Sequence, residues 1–163
     1  PGEHYFNPLK PDEISADDFR PYMTNIIRSC PNRKIWVFMT EAKWEVQNQD
    51  TIDAYISRIR ECKRCLIKKK DRVIFLFNKV DRISSLFQDG TLNTAAAEAA
   101  MKEDYQGLPV IFPNNNPVTS YWKPYSYKFV PFCSGHYPNG KYEESEDSYP
   151  ELLWRRLKKC IRG

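Results

Sequence analysis

The residues best suited to chemistry form a polar tetrapeptide, Asn78-Lys79-Val80-Asp81, which directly follows the apolar run Val73–Phe77. If that run is a strand, the tetrapeptide lies at its carboxyl end, where open α/β sheets bind their ligands. One carboxylate can accept hydrogen bonds from two adjacent donors. Guanine offers such a pair, its ring N–H and its exocyclic amine, and adenine does not. Asp81 therefore predicts a site that distinguishes guanine from adenine, because the wrong base would leave polar groups unpaired.

The tetrapeptide and its position resemble the Asn-Lys-x-Asp motif of Ras-like and translation-factor-like P-loop GTPases. The resemblance implies GTP or GDP as the ligand, with Asp81 on the guanine edge. It also implies that the stem of Lys79 lies over the base and sugar, and that Asn78 braces the loop. The alternative interpretation is a turn at the end of a strand, in which Asp81 caps the next segment.

A second match follows the apolar run Phe129–Cys133. The family carries a Ser-Ala-Lys-like turn there, whose backbone N–H groups reach the guanine oxygen. Ser134 matches the Ser, Gly135 stands in place of the Ala, and His136 replaces the usual Lys. The resemblance therefore adds Ser134 and Gly135 to the predicted site, while a simple Ser-Gly turn is the alternative.

The phosphate-binding parts of the family are not complete in this chain. Gly140-Lys141 is followed by Tyr142, so the full Gly-x-x-x-x-Gly-Lys-Ser/Thr pattern does not occur. Without that loop, the phosphates lack their amide cradle and magnesium lacks its hydroxyl ligand. We therefore expect no catalysis by this chain alone, and magnesium binding only together with an upstream half. The resemblance covers about Ile35 to Ile161, and Pro1–His4 is similar to the end of the family's Asp-x-x-Gly motif.

The elements that must position these residues alternate along the chain. The apolar runs Ile35–Met39, Val73–Phe77 and Phe129–Cys133 predict strands, and the first two are continuous, as in strands covered on both faces. Helices are predicted in Asp17–Cys30, Thr51–Lys69, Thr94–Tyr105 and Ser148–Ile161. This order predicts an α/β fold of three layers, a mostly parallel sheet with flanking helices, as in part of a P-loop NTPase. We expect a single domain over residues 1–163, with irregular structure in 1–34 and a long loop over 107–128.

Composition narrows the partners. The net charge of +4 among 163 residues does not indicate a nucleic-acid partner. The basic stretch Arg58–Arg72 is interpreted as a solvated helix face, although RNA or an anionic membrane surface would also suit it. No apolar run is long enough to span a membrane. Five irregularly spaced cysteines favour reduced thiols in the cytoplasm. Cys62-x-x-Cys65 has no second ligand pair, so core packing is favoured over a metal site.

Two functions of different class remain open at this point. The chain is either the guanine-reading C-terminal part of a GTPase-like protein, or a protein-interaction module that has inherited the fold. If the upstream strands belong to another part of a longer parent, one sheet edge is open, which predicts self-association. Binding of a partner through the aromatic loop Tyr121–Tyr125 is a further expectation of the second function.

Overall fold

The computed structural model describes residues 16–42, 49–112, 127–133 and 148–162, and the site residues Ser134 and Gly135 lie outside the described residues. The first helix, α1, spans Ala16–Ser29, and the strand β1 spans Ile35–Glu41. The helix α2, Gln49–Cys65, leads to the strand β2, Arg72–Asn78. Two short 3-10 turns, Val80–Arg82 and Ser84–Leu86, then lead into a small hairpin. The predicted alternation of strands and helices is confirmed over this part of the chain.

The second half contains the hairpin strands β3 and β4, Phe87–Gln88 and Thr91–Leu92, followed by three helices and a strand. Their bounds are Thr94–Asp104 for α3, Gly107–Ile111 for α4, Tyr127–Pro131 for β5 and Ser148–Arg162 for α5. The hairpin turn is Asp89-Gly90, with φ of 50° and 75°. Left-handed dihedrals at both positions match the tight turn that Asp-Gly favours between antiparallel strands.

The main sheet has the order β1-β2-β5, and both pairings are parallel. β2 lies in the centre, and its residues Val73–Phe77 are all buried. One face of the sheet packs against α2, α3 and α4 through a core that includes Phe75, Phe77 and Phe129. The other face carries Ile74 and Leu76 and packs against α5. Helices therefore lie on both faces of a small parallel sheet, as expected of an α/β fold.

The loop predicted over residues 107–128 is shorter than expected at both ends. α4 occupies Gly107–Ile111, where Gly107 and Pro109 had indicated a loop. Pro109 lies in the first turn, where a helix needs no backbone N–H from it. Leu108 and Ile111 are buried in the core, so packing stabilises this short helix. At the other end, β5 begins at Tyr127, two residues before the predicted start of the strand.

Several side chains face differently from the prediction. Val37 and Met39 are 44% and 56% exposed, so β1 is not covered on both faces as its continuous apolar run had indicated. Ile26 of α1 and Ile161 of α5 are also exposed, although their helical spacing with apolar neighbours predicts that both face inward. Pro131 ends β5 on an edge of the described sheet, in agreement with its missing backbone donor.

Candidate functional site

The tetrapeptide Asn78–Asp81 lies at the carboxyl end of the central strand. Asn78 is the last residue of β2, and Val80–Arg82 form a 3-10 turn. The turn is anchored by Val80, which is fully buried in the core between the sheet and its helices. Its backbone N–H donates to the carbonyl of Phe132 over 3.4 Å, just past the end of β5. The ends of β2 and β5 are thereby joined, which is where the predicted site requires them to meet.

Lys79 adopts a left-handed backbone conformation, with φ of 61° and ψ of 34°. A non-glycine residue in this region is strained by about 1–3 kcal/mol and is found in functional loops more often than elsewhere. The conformation lets the chain reverse at once after the strand, so that Val80 turns inward and Asp81 turns outward. Lys79 and Asp81 therefore project from a turn whose backbone is set by the buried Val80.

The side chain of Asn78 is only partly satisfied. Its Nδ2 lies 3.9 Å from the sulfur of Met39, a weak acceptor. Its Oδ1 is buried and has no hydrogen-bond partner among the residues that the structure describes. A buried acceptor without a donor is costly, and in native proteins such groups are rare and tend to lie at functional sites. Asn78 is thus the member of the tetrapeptide with an unfilled position for a donor.

Asp81 is exposed, and no hydrogen bond or ion pair joins its carboxylate to the described part of the chain. In particular, the structure gives no side-chain cap from Asp81 to the following turn, which was the alternative interpretation. Both carboxylate oxygens are therefore available to accept hydrogen bonds from a ligand. This is the state that a base-reading carboxylate requires.

Lys79, by contrast, is already engaged. Its ammonium group forms an ion pair with the carboxylate of Glu41, and Arg82 approaches the same oxygen at 4.0 Å. Glu41 is the last residue of β1 and lies opposite Asn78 in the parallel register. Its backbone N–H and carbonyl both bond to the Tyr105 hydroxyl, each over 3.1 Å. Glu41 is therefore held firmly beside the tetrapeptide.

Sequence reasoning did not identify Glu41, Arg82 or Tyr105 as neighbours of the site. A signal for Glu41 was present, because it directly follows the first apolar run, and parallel strands end at the same edge of a sheet. Tyr105 carried no such signal, since it is distant in sequence and reaches the strand only through the packing of α3.

The second predicted part of the site, Ser134 and Gly135, lies outside the described residues, as does His136. Cys133 is described and buried, so the chain enters this segment from the edge of the sheet next to Val80. In the sequence, Gly135 stands at the glycine spacing of a phosphate loop before Gly140-Lys141. The pattern still fails at Tyr142, which replaces the magnesium-binding Ser or Thr.

Other chemistry is limited in the described residues. They contain no group of three or more His, Cys, Asp or Glu side chains arranged to hold a metal ion. Cys62 is buried in the core while Cys65 is exposed, so the two thiols of the Cys-x-x-Cys sequence do not face one ligand. No described helix is both long and apolar enough to cross a membrane.

Comparison of the chain with protein-family models, with curated proteins and with solved structures gave no match.

Proposed function

We propose that this chain is the guanine-reading part of a GTPase-like nucleotide-binding protein, and that it does not hydrolyse GTP by itself. The observation that carries the proposal is the placement of Asn78–Asp81 at the carboxyl end of the central parallel strand, with the Asp81 carboxylate exposed and uncommitted. Ligands of open α/β sheets bind at this edge. An uncommitted carboxylate there can accept both donors of a guanine base.

The surroundings of the tetrapeptide support the same proposal. The hydrogen bond from Val80 to Phe132 brings the start of the segment that contains Ser134 and Gly135 next to the turn. The family resemblance assigns contacts with the guanine oxygen to backbone N–H groups after this strand. The buried, unpartnered Oδ1 of Asn78 supplies a further polar group at the floor of the site. Both features favour a ligand site over a simple turn.

The lack of a complete phosphate loop determines what the chain can do with a nucleotide. Phosphoryl transfer depends on groups that position and neutralise the phosphates. This sequence contains no complete set of these phosphate-binding groups. The role proposed for the chain is therefore recognition of the base. We therefore expect GDP and GTP to bind with similar, modest affinity, because most of the affinity would come from the base. Magnesium would contribute only with an upstream half.

Titration calorimetry with GDP, GTP and ADP tests the proposal. Guanine nucleotides should bind and ADP should not, and Asp81→Ala should abolish the binding. Asp53→Ala is a matched control, because Asp53 is an exposed carboxylate on α2 that bonds only to Gln49 in the described structure. Equal binding of ADP, or guanine binding that survives in Asp81→Ala, would reject the proposed site.

A protein-interaction role is the second candidate, and the exposed face of β1 is the observation that favours it. Val37 and Met39 project from the sheet on the side of α5 and remain exposed. This role predicts no base-dependent binding of nucleotide. It also predicts self-association that is reduced by the double substitution Val37→Thr and Met39→Thr, measured by size-exclusion chromatography with light scattering. A monomer at all concentrations would contradict the self-association.

A further inference from the structure

Basic side chains gather at the amino end of the sheet, opposite the Asn78–Asp81 turn. Because the three strands are parallel, the residues at their starts lie side by side, as Ile35 opposite Arg72 and Val73 opposite Tyr127 show. The last turn of α5 joins them, since Arg33 donates to the carbonyl of Ile161. We call this surface the basic end. Its cations are Arg33, Lys34, Lys68, Lys69, Lys70, Arg72, Lys128, Lys159 and Arg162.

The one acidic side chain in these segments is buried, so it does not pair with the cations at the surface. Asp71 is the one acidic residue in 31–34, 66–72, 127–128 and 158–162, and it is only 6% exposed. Its carboxylate accepts hydrogen bonds from the backbone N–H groups of Lys34 and Lys68, both at 3.0 Å, and from Trp36 Nε1 at 3.1 Å. Asp71 therefore ties the starts of β1 and β2 together instead of pairing with a surface cation.

The cations themselves bond mainly to neutral groups. Lys34 donates to the carbonyl of Cys30 over 3.1 Å, and Lys70 donates to the carbonyl of Pro31 over 2.6 Å. Such bonds position an ammonium group without cancelling its charge. Lys68, Lys69 and Lys70 are exposed. The basic end therefore presents fixed positive charge to the outside.

The dipoles of the neighbouring helices offset only a part of this positive charge. α1, α2 and α5 all end near the starts of the strands, and a helix carboxyl end carries about half a negative charge. Three such ends and Asp71 together offset about two and a half of the nine cations. An excess of about six positive charges remains on one surface. A solvated helix face, the interpretation favoured from the sequence, does not require such an excess.

The buried Cys160 of α5 reports how closely these cations converge. Burial raises the pKa of its thiol, while the charges of Arg72, Lys128, Arg33 and Arg156 act to lower that pKa. These four side chains come from the loop before β1, from β2, from β5 and from α5. Charges from four separate segments thus act on one thiol in the last turn of α5.

We propose that the basic end binds the surface of an anionic lipid bilayer. A cluster of Lys and Arg beside a helix end matches the headgroup plane of acidic phospholipids. Among the described residues of this surface, the exposed apolar side chain is aliphatic, Ile161 at 58%. Single-stranded nucleic acids are held instead by stacking on aromatic rings. The exposed aromatic on α5, Trp154, lies earlier in the helix, and the Lys158 ammonium group stands over its ring at 5.3 Å from the centroid.

Vesicle co-sedimentation tests the proposal with the whole chain. Phosphatidylcholine vesicles that contain phosphatidylserine should bind it, pure phosphatidylcholine vesicles should not, and added salt should weaken the binding. Lys69→Glu should reduce the binding about tenfold or more. Arg82→Glu is the matched control, because it reverses one exposed charge at the other end of β2 and should leave the binding nearly unchanged. Ile161→Ser should weaken binding without any change of charge.

Three outcomes would overturn the proposal. Equal losses in Lys69→Glu and Arg82→Glu would show that net charge alone is responsible. Equal binding to vesicles with and without phosphatidylserine would exclude recognition of acidic headgroups. Tighter binding to a single-stranded RNA oligonucleotide, with the same dependence on Lys69, would assign the surface to nucleic acid. Since the basic end and the Asn78–Asp81 turn lie at opposite ends of the sheet, none of these outcomes bears on the proposed nucleotide site.

Discussion

The carboxylate of Glu41 forms an ion pair with the ammonium group of Lys79, across the ends of β1 and β2. The parallel register places Glu41 opposite Asn78, the residue before Lys79, and each side chain of the pair is 37% exposed. In the proposed function the stem of Lys79 lies over the base. Glu41 therefore holds the Lys79 side chain in place. A bound nucleotide would either contact Lys79 while this ion pair remains or break the ion pair.

We expect Glu41→Gln to strengthen guanine-nucleotide binding by up to about fivefold, because an exposed ion pair is worth at most about 1 kcal/mol. Stability should change by less than about 1 kcal/mol for the same reason. Calorimetry with GDP and urea denaturation measure the two effects. Glu61→Gln is the control, since it breaks the exposed pair with Arg58 elsewhere on the surface. Weaker binding in Glu41→Gln would mean that Glu41 positions Lys79 for the base.

Tyrosine hydroxyls cap part of the outer edge of β1, the edge that is open if upstream strands are missing. The backbone N–H of Arg72 donates to the carbonyl of Lys34, and the backbone N–H of Ala42 donates to the carbonyl of Asn78. The backbone groups of the even-numbered residues from 34 to 42 therefore face β2. Met39 and Glu41 therefore point their backbone groups to the outer side. There the Tyr55 hydroxyl donates to the Met39 carbonyl over 2.7 Å, and the Tyr105 hydroxyl bonds to the backbone N–H and carbonyl of Glu41. Burial raises the pKa of Tyr55, which keeps this donor protonated.

We expect the double substitution Tyr55→Phe and Tyr105→Phe to promote self-association, because it frees backbone groups that can pair with another strand. Tyr105→Phe alone should lower the free energy of unfolding by about 1–3 kcal/mol, the cost of unsatisfied buried groups. Light scattering and urea denaturation are the measurements. Tyr127→Phe removes a hydroxyl that bonds to Glu98, away from this edge. It should destabilise the chain without inducing association, and association in this control would refute the capping role.

Asp71 makes the fold sensitive to acid. Burial alone would raise the pKa of its carboxyl, but hydrogen bonds from Lys68 N–H, Lys34 N–H and Trp36, with the charge of Lys34, hold that pKa below its ordinary value. A folded-state pKa below the unfolded value of about 3.9 contributes stability that is present above that pH. The contribution is lost as the pH falls through the folded-state pKa.

Urea denaturation across acidic pH tests this role. The native chain should lose stability as the pH falls below about 4, and Asp71→Asn should show a flatter profile. At neutral pH, Asp71→Asn should be less stable by about 1–3 kcal/mol, because one amide oxygen cannot replace a carboxylate that accepts three hydrogen bonds. Asp81→Asn is the control, because it removes an exposed carboxylate without contacts in the described structure, and its stability at neutral pH should match that of the native chain. An unchanged profile in Asp71→Asn would rule out Asp71 as the source.

Gly107 allows α4 to approach α2 closely. A Cβ atom at this position would lie 2.5 Å from Cγ2 of Ile56, a contact that folded proteins do not show. We expect Gly107→Ala to destabilise the fold by about 1–3 kcal/mol through overpacking. In a double-mutant cycle, Ile56→Ala should recover part of that loss, with a coupling of about 0.5 kcal/mol or more. Gly90→Ala is the control, because its surroundings are open and only its φ of 75° opposes a side chain.

Much of the fold could be predicted because the local patterns agree with the packing. The run Val73–Phe77 is apolar throughout, and the structure buries all of it in the central strand. In α2, Ile52, Ile56 and Ile59 are buried, and their helical spacing in the sequence predicts one apolar face. The hairpin Phe87–Leu92 was not predicted, although Asp89-Gly90 is a recognisable turn signal. Its strands are too short to show an alternating pattern.

The failures have a common physical cause. Val37 and Met39 are as apolar as their neighbours, and only the position of α5 on the sheet decides that they stay exposed. The helix α4 depends on burial of Leu108 and Ile111, which outweighs the local preference of Gly107 and Pro109 for a loop. A local pattern reports how apolar a segment is, and it does not report which neighbour covers it.

By itself, the sequence determined the chemistry that the turn can perform. A continuous apolar run such as Val73–Phe77 requires cover on both faces. Any fold that buries this run therefore places Asn78, Lys79 and Asp81 at the end of a buried strand. The tertiary structure decided the state of each group. Parallel register placed Glu41 against Lys79, and the packing of Val80 turned Asp81 outward. Such contacts join residues far apart in sequence, so they arise only when the strands and helices pack together.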